Sequence, residues 1–313
     1  MKDICVGVDV GGTSVKLGLF RIDGKLISSF EILTRKEEKG KYIIGDIAAA
    51  IENGLDEQAI EKSRVVGVGI GVPGPVLDDG TVNNCVNLGW GVINIVEELE
   101  KLIHLPVKAG NDATVAALGE MWQGGGKGYD SLVLFTLGTG VGGGIVMNNK
   151  PINGEHGAGG EIGHMHVVYD ETENCSCGKK GCLEQVASAT GIVKETKKLL
   201  ANSNEASTLR DYDNITAKVV FDEAKNGDRI ACKAVDILGK YLGIAMANVA
   251  GVVDPAVFAI GGGVSKAGPI LIEAVEKYFK EYSFHACRNT RIVLAELGND
   301  AGIYGAARLV IED

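Results

Sequence analysis

The sequence predicts a two-domain α/β fold in which one unit, a strand, a glycine turn and a second strand, occurs twice. Three observations carry that expectation. The chain has 313 residues, and at roughly 150 residues per domain this suggests two domains, each able to bury its own core. The unit runs from Val6 to Leu19 and again from Leu132 to Met147, although the copies share little sequence. Helical and strand periodicities alternate around both copies, as in a layered α/β protein.

The elements follow in order. ICVGVDV is β-rich and ends in Gly11-Gly12-Thr13, VKLGLFRI alternates, Asp23-Gly24 turns, and KLISSFEIL returns, which reads as successive hairpins. Ile43, Ile44, Ile47, Ile51 and Leu55 share one helical face, so a helix is expected over roughly Tyr42 to Lys62. RVVGVGIGV is a buried strand closed by Pro73-Gly74-Pro75, and Ile93 to Ile103 a second helix. VKAG leads into Asn111-Asp112 and the helical run ATVAALGEMW. SLVLFTLG and GGIVMNN are the paired strands of the second copy. From Ala187 the chain is mostly helical, ending in Ala231 to Val253, where Gly239 and Gly243 permit close helix packing. AVFAIGGG reads as the last strand and Ala301 to Val310 as a terminal helix. No long linker or low-complexity segment interrupts the chain, so the domains are expected to share a cleft.

Composition narrows the function. Glycine supplies 45 residues, about 14% against a usual 7% or so, but in clusters and without the period of collagen. Forty-one acids against 31 bases leave a net charge of −10, which argues against nucleic acid and anionic membranes as partners. MKDICVGVDVGG lacks the features of a signal peptide. The uncharged window Ser131 to Asn149 holds five glycines, and Tyr241 to Val253 is only 13 residues long, so neither is a credible membrane span. Seven cysteines without a secretory signal suggest a thiol-bearing cytoplasmic protein.

The glycine turns point to phosphate. Gly138-Thr139-Gly140-Val141-Gly142-Gly143 matches the dinucleotide fingerprint literally, yet a strand follows it where that fingerprint needs a helix. Walker A and G-x-S-x-G strings are absent. What remains is a strand–turn–strand phosphate hairpin, in which glycine amides approach the anion closely and Thr13 or Thr139 adds a hydroxyl. Asp9, ahead of the first turn, could hold a hydrated magnesium ion. Plain tight turns are the alternative, weakened because three such turns each end an apolar strand.

Cys175, Cys177 and Cys182 have C-x-C-x4-C spacing, which strains a disulfide between the first two but suits thiolates on one metal. His156, His164 and His166 are all near enough to supply a fourth ligand, giving a closed structural zinc site. Glu161 and Glu184 flank the knuckle; each alone reads as a solvated charge, and a folded-back knuckle could bring them together. Asn111-Asp112 reads either as a helix N-cap pair or as a carboxylate placed to accept a proton from a substrate hydroxyl.

Together these strings resemble one family over nearly the whole chain, the ROK sugar kinases (repressors, open reading frames, kinases). VDVGGTSVKLGLF resembles the family's first phosphate loop, NDATVAALGEMW its catalytic segment, and LGTGVGGGIV with GAGGEIGH its signature. CSCGKKGCLEQVAS is similar to its zinc motif, and IGGGVS and LGNDAGIYGAA to its nucleotide-side ending. VNLGW and AALGEMW look most like the family's bacterial ATP-dependent glucokinases.

The resemblance implies an actin-like, hexokinase-type (ribonuclease H-like) duplicated fold with two domains around a cleft. These would be a small α/β domain of residues 1–113 plus 300–313 and a large one of 114–299 carrying the zinc knuckle. Asp112 becomes the general base for the sugar 6-hydroxyl. Asn111, Glu161, His164 and Glu184 contact sugar hydroxyls, and Gly74 and Asn87 belong to the same pocket. Asp9, Gly11, Gly12, Thr13, Thr139, Gly140, Gly142, Gly143, Gly262 and Gly263 fall on the nucleotide side. His164, Cys175, Cys177 and Cys182 become the zinc ligands, with His156 kept as a competitor. ATP and magnesium are the implied cofactors and a homodimer the implied assembly. Alternatives are the same chemistry on N-acetylmannosamine, fructose or allose, polyphosphate as donor, a sugar-sensing repressor, or a structural actin-like protein.

Overall fold

The computed structural model describes residues 2–311. Strands β1 (Ile4–Val10), β2 (Ser14–Arg21), β3 (Leu26–Leu33), β4 (Val65–Val72) and β7 (Val107–Asn111) form one sheet in the order β3-β2-β1-β4-β7. Strands β8 (Leu132–Leu137), β9 (Val141–Met147), β10 (Lys150–Pro151), β11 (Val257–Gly261) and β12 (Arg291–Leu294) form another, in the order β10-β9-β8-β11-β12. In chain order both sheets read third, second, first, fourth, fifth. The duplication is therefore one of topology, and β12 is a strand that the sequence reading left out.

Two compact units result. The first takes the chain up to Leu132, then Gly144–Gly160, then from Leu297 onward; the second takes Val133–Gly143 and Glu161–Glu296. The sequence reading divides the chain at 113/114 and 299/300. The difference comes from helix α3 (Asp112–Gln123), which stays whole in the first unit because its backbone locks against the terminal helix.

The first unit is built on a strict alternation. In β1, Val6, Val8 and Val10 point to one face and are buried among Ile47 and Ile51 of helix α1 (Ile43–Glu57) and Leu99 of helix α2 (Ile95–Ile103). Cys5, Gly7 and Asp9 point to the other face, as successive strand residues must. β4 repeats the pattern: Val68, Ile70 and Val72 join the first core, while Gly67, Gly69 and Gly71 turn to the opposite face. Helix α8 (Ala301–Leu309) lies on that glycine face. A Cβ at Gly7 would sit 1.9 Å from the Ile303 carbonyl oxygen, and one at Gly69 only 1.7 Å from that of Ala306. α3 closes on α8 in the same way, since a Cβ at Gly305 would lie 1.7 Å from the Val115 carbonyl oxygen and one at Gly119 2.3 Å from that of Ala301.

Two helix boundaries differ from expectation. α1 ends at Glu57, not Lys62, because Ala59 takes a left-handed conformation (φ 51°). α2 begins at Ile95, not Ile93: Val92–Asn94 is strand β6, paired with β5 (Thr81–Asn83), and the Asn94 side chain caps the helix by accepting from the Glu97 N–H at 2.9 Å.

In the second unit, helices α4 (Ala189–Ala201), α5 (Ala217–Lys225), α6 (Arg229–Val253) and α7 (Pro269–Tyr282) accompany β8, β11 and β12. α7 is a further element not read from the sequence. Gly239 and Gly243 of α6 do lie against it, at Ala274 and Phe279. Phe135, Phe258 and Phe279 stack through this core. Among the described residues no helix is long and apolar enough to cross a membrane.

The glycine face allows no side chain. Gly69→Ala or Gly305→Ala is expected to destabilise the protein by about 3 kcal/mol, read as a lower urea midpoint. Gly91→Ala, where a Cβ meets nothing within 4 Å, should stay within about 0.5 kcal/mol of wild type.

Candidate functional site

In the first unit, the candidate residues gather where β1, β4 and β7 end. Asn111 is the N-cap of α3: its Oδ1 accepts from the N–H groups of Ala113 (3.0 Å) and Thr114 (3.2 Å), and its Nδ2 donates to the Gly74 carbonyl at 3.0 Å. One side chain thus satisfies helix amides and ties the Pro-Gly-Pro turn to the helix. The capping role and a role in the site are compatible. Asp112 follows in the first turn of α3 and is exposed. Its Oδ1 accepts from the Ala113 N–H at 2.8 Å.

Gly74 has φ 94°, and a Cβ there would come within 4.0 Å of the Cys85 Cα. Burial pushes the Cys85 thiol up, with the Asp112 charge a smaller contribution. Asn87 lies two residues further, exposed on the turn Val86–Leu88. That turn is buttressed by Trp90, whose indole N–H donates to the Gly40 carbonyl at 3.1 Å.

Asp9 stands on the glycine face of β1, and a Cβ at Gly302 of α8 would lie 2.4 Å from its carboxylate. Burial against the helix raises its pKa to about 6; the Asp112 charge adds to the rise and Lys16 opposes it. Beyond Asp9, Gly11 donates to the Ser14 carbonyl at 2.9 Å and the Thr34 hydroxyl donates to the Gly11 carbonyl at 2.7 Å. A Cβ at Gly12 would meet nothing within 4 Å. Gly12 and the exposed Thr13 thus form an open turn, the shape a phosphate hairpin requires.

In the second unit, His164, Cys175, Cys177 and Cys182 place one donor atom each within 4.8 Å of one another. The Sγ atoms of Cys177 and Cys182 are 3.6 Å apart, and Cys175 Sγ is 3.6 Å from His164 Nδ1. Ligands at 2.3 Å around a tetrahedral zinc are about 3.8 Å apart, so the donor set and its spacing fit that ion. His164 is the histidine of the cluster, while His156 belongs to the first unit.

The folded knuckle brings the two flanking carboxylates to His164. Glu184 Oε1 is 3.7 Å from its Nδ1 and Glu161 Oε2 is 3.9 Å from its Nε2. Glu184 also accepts from the Cys175 thiol and the Ser176 hydroxyl, both at 2.9 Å. The second glycine turn adjoins this group, since a Cβ at Gly140 would sit 2.4 Å from Glu184 Oε2. Thr139 accepts at its carbonyl from the Thr190 hydroxyl at 2.6 Å. Gly142 and Gly143 open β9.

Gly262, with φ 81°, lies against Leu137 at the end of β8, and Gly263 faces open space. Gly263 also lines a cavity of about 310 Å³ walled by Ala189, Phe221, Val264 and Ala267, with Lys218 and Lys266 in its lining. This slot, of a size for a planar base, was not read from the sequence. Its walls come from scattered small residues on α4, α5 and the turn after β11, and no local motif marks them.

The ROK family model matches residues 5–313. A glucokinase of Halalkalibacterium halodurans is 42% identical over 310 residues, covering 97% of this chain and 94% of its own length. A glucokinase of Thermotoga maritima is 36% identical over 313 residues, covering 98% and 97%. A ROK family glucokinase from Streptomyces griseus, solved in complex with glucose and AMPPNP, is 34% identical, covers 98% of each chain and superposes with a TM-score of 0.74.

The raised pKa of Asp9 has a consequence for stability. Between the ordinary value of 3.8 and the folded value of about 6, the native state holds the proton more tightly than the unfolded chain. This contribution therefore favours folding below about pH 4, and is lost as pH rises through 6. Without metal or nucleotide, Asp9→Asn is expected to be more stable than wild type by about 1–2 kcal/mol at pH 8, with the gain vanishing towards pH 4. Melting curves across that range test it; equal curves at every pH would contradict the burial of the charge.

Proposed function

The chain belongs to the ROK family, and from that premise we propose that it transfers the γ-phosphoryl group of ATP to the 6-hydroxyl of glucose. The fold is of the actin-like, hexokinase type. The observation that carries the mechanism is the Asn111–Gly74 tie, which holds the start of α3 rigidly and presents Asp112 at its exposed first turn.

Asp112 accepts the hydroxyl proton as the sugar oxygen bonds to phosphorus and the bond to the leaving ADP oxygen breaks. The proton moves late, once the sugar oxygen has become acidic through its new bond. Asn111, Glu161, His164 and Glu184 read the sugar hydroxyls, with Gly74 and Asn87 as further sugar-binding residues. Gly11, Gly12, Thr13, Thr139, Gly140, Gly142 and Gly143 take phosphate oxygens through backbone amides and hydroxyls, and the slot beside Gly262 and Gly263 takes the adenine. Asp9 is the carboxylate that would hold magnesium, which would supply charge neutralisation on the phosphates.

Zinc, in this reading, is structural. It would fix His164 through one ring nitrogen and leave the other for the sugar, as surrounding shells orient functional ligands. The CxCx4C spacing and the four-ligand cluster support it. Cytoplasmic location and a homodimer rest on the family resemblance, and sedimentation of the purified chain tests the latter.

Release of ADP with magnesium-ATP across glucose, N-acetylmannosamine, fructose, allose and mannose tests the assignment. Turnover strongest on glucose, in protein holding one zinc per chain, is the expected result. Preference for another hexose would reassign the pocket, and full activity in zinc-free protein would remove the metal from the account. Asp112→Asn should lower kcat by about 10³- to 10⁴-fold while glucose affinity stays within about threefold; near-normal turnover would exclude Asp112 as the base.

A further inference from the structure

The segment Glu37–Gly40 reverses the usual handedness of the chain. Glu38 (φ 49°, ψ 41°), Lys39 (φ 61°, ψ 40°) and Gly40 (φ 71°) are left-handed in succession, while Lys36 before them and Lys41 after them are right-handed. Glycine takes this conformation freely, but Glu38 and Lys39 carry a steric cost in it. Such a run persists only where its surroundings over-determine it. On the solvent side Glu38 accepts from the Tyr42 hydroxyl at 2.7 Å and from the Lys41 ammonium at 3.1 Å. The Arg35 guanidinium lies over the same Tyr42 ring, 4.7 Å from its centre.

The inner side of the run meets the turn that carries Asn87. The indole N–H of the buried Trp90 donates to the Gly40 carbonyl at 3.1 Å. A Cβ at Gly40 would lie 2.4 Å from the Leu88 carbonyl oxygen, and one at Gly89 would lie 3.0 Å from the Lys39 Cα. The N–H groups of Leu88 and Trp90 both donate to the Cys85 carbonyl at 3.1 Å, and the Asn83 N–H donates to the Pro75 carbonyl at 3.1 Å. Cys85 and Leu88 are buried, yet the tip between them is open: Val86 is 86% exposed and Asn87 is exposed as well. The tip therefore inherits its position from its two ends. One end is tied to the Pro-Gly-Pro turn, which Asn111 also holds. The other is clasped to the left-handed run through Trp90.

We propose that Trp90 is a positioning residue for sugar recognition: its indole N–H anchors the turn on the left-handed run and so sets where Asn87 stands. The proposal rests on the kinase reading above and on Asn87 as a sugar-binding residue. Trp90 acts through Asn87, and Glu38 acts through the handedness of the run.

Trp90→Phe keeps an aromatic ring in the core and removes only the N–H. It should raise the KM for glucose by about fivefold or more, while the KM for ATP stays within about twofold and kcat within about threefold. Glu38→Ala, at an exposed position, should raise the KM for glucose by about threefold, and it replaces Trp90→Phe if that variant does not fold. Coupling separates positioning from mere support of the fold. Asn87→Ala should raise the KM for glucose by about tenfold in the wild-type background but by less than about threefold beside Trp90→Phe or its replacement. The proposal is overturned if the clasp variant leaves the KM for glucose at the wild-type value, raises the KM for ATP equally, or combines multiplicatively with Asn87→Ala. Turnover by the wild type with Asn87→Ala unchanged would overturn this assignment and leave the kinase reading standing. Wild-type protein without turnover on any hexose would overturn both.

Discussion

Contact between backbones, with no side chain in between, organises the first unit. β4 presents glycines on alternate residues and β1 presents one, Gly7; α8 lies directly on Gly7 and Gly69, and α3 in turn lies directly on α8. Each close approach removes a layer of side chains and replaces it with tightly packed main chain. The ends of these elements carry candidate site residues. Asp9 follows Gly7 on the same face of β1, Asp112 begins α3, and Asp300 precedes α8. The geometry of the site is thus set by residues that take no part in it.

The second unit reaches rigidity by other means. Its helices pack through Gly239 and Gly243, but the residues around His164 lie in irregular chain, between Glu161 and Glu184. There His164, Cys175, Cys177 and Cys182 gather in a cluster that could hold a metal ion, beside the buried Ile162, Val167 and Leu183. Both flanking carboxylates come within 4 Å of the same imidazole, an arrangement a loop of this length would not hold on its own. The candidate residues of the two units therefore have different surroundings: packed main chain around Asp9 and Asp112, the Cys/His cluster around Glu161 and Glu184.

Much of this was legible where the code is local. The C-x-C-x4-C spacing, the Asn-Asp pair before ATVAALGEMW and the glycine turns each occupy a few consecutive residues, and the folded chain shows their geometry directly. The alternation V-G-V-D-V and V-V-G-V-G-I-G-V was also on the page, but it was read only as strand. Its second message is that every other position must admit a helix backbone, which only the partner helix reveals. Strand β12, RIVL, is too short for periodicity to separate it from a loop, and β5 with three residues is shorter still. The base-sized cavity was out of reach because Ala189, Phe221, Gly263 and Ala267 come from separate elements. α7 is different, since its apolar spacing at Leu271, Val275 and Phe279 was present and Pro269 marks its start.

Gly302 offers the most direct test of the account, because a Cβ there would meet the Asp9 side chain first. A Cβ there would press on the end of a side chain, not on backbone, so Gly302→Ala should fold and bind glucose as wild type does. Displacing the Asp9 carboxylate should nevertheless lower kcat/KM for magnesium-ATP by about tenfold or more, on the scale at which misplaced groups slow enzymes. Steady-state kinetics with ATP varied at saturating glucose is the measurement. Wild-type kinetics in Gly302→Ala would contradict the claim that this packing sets the position of Asp9.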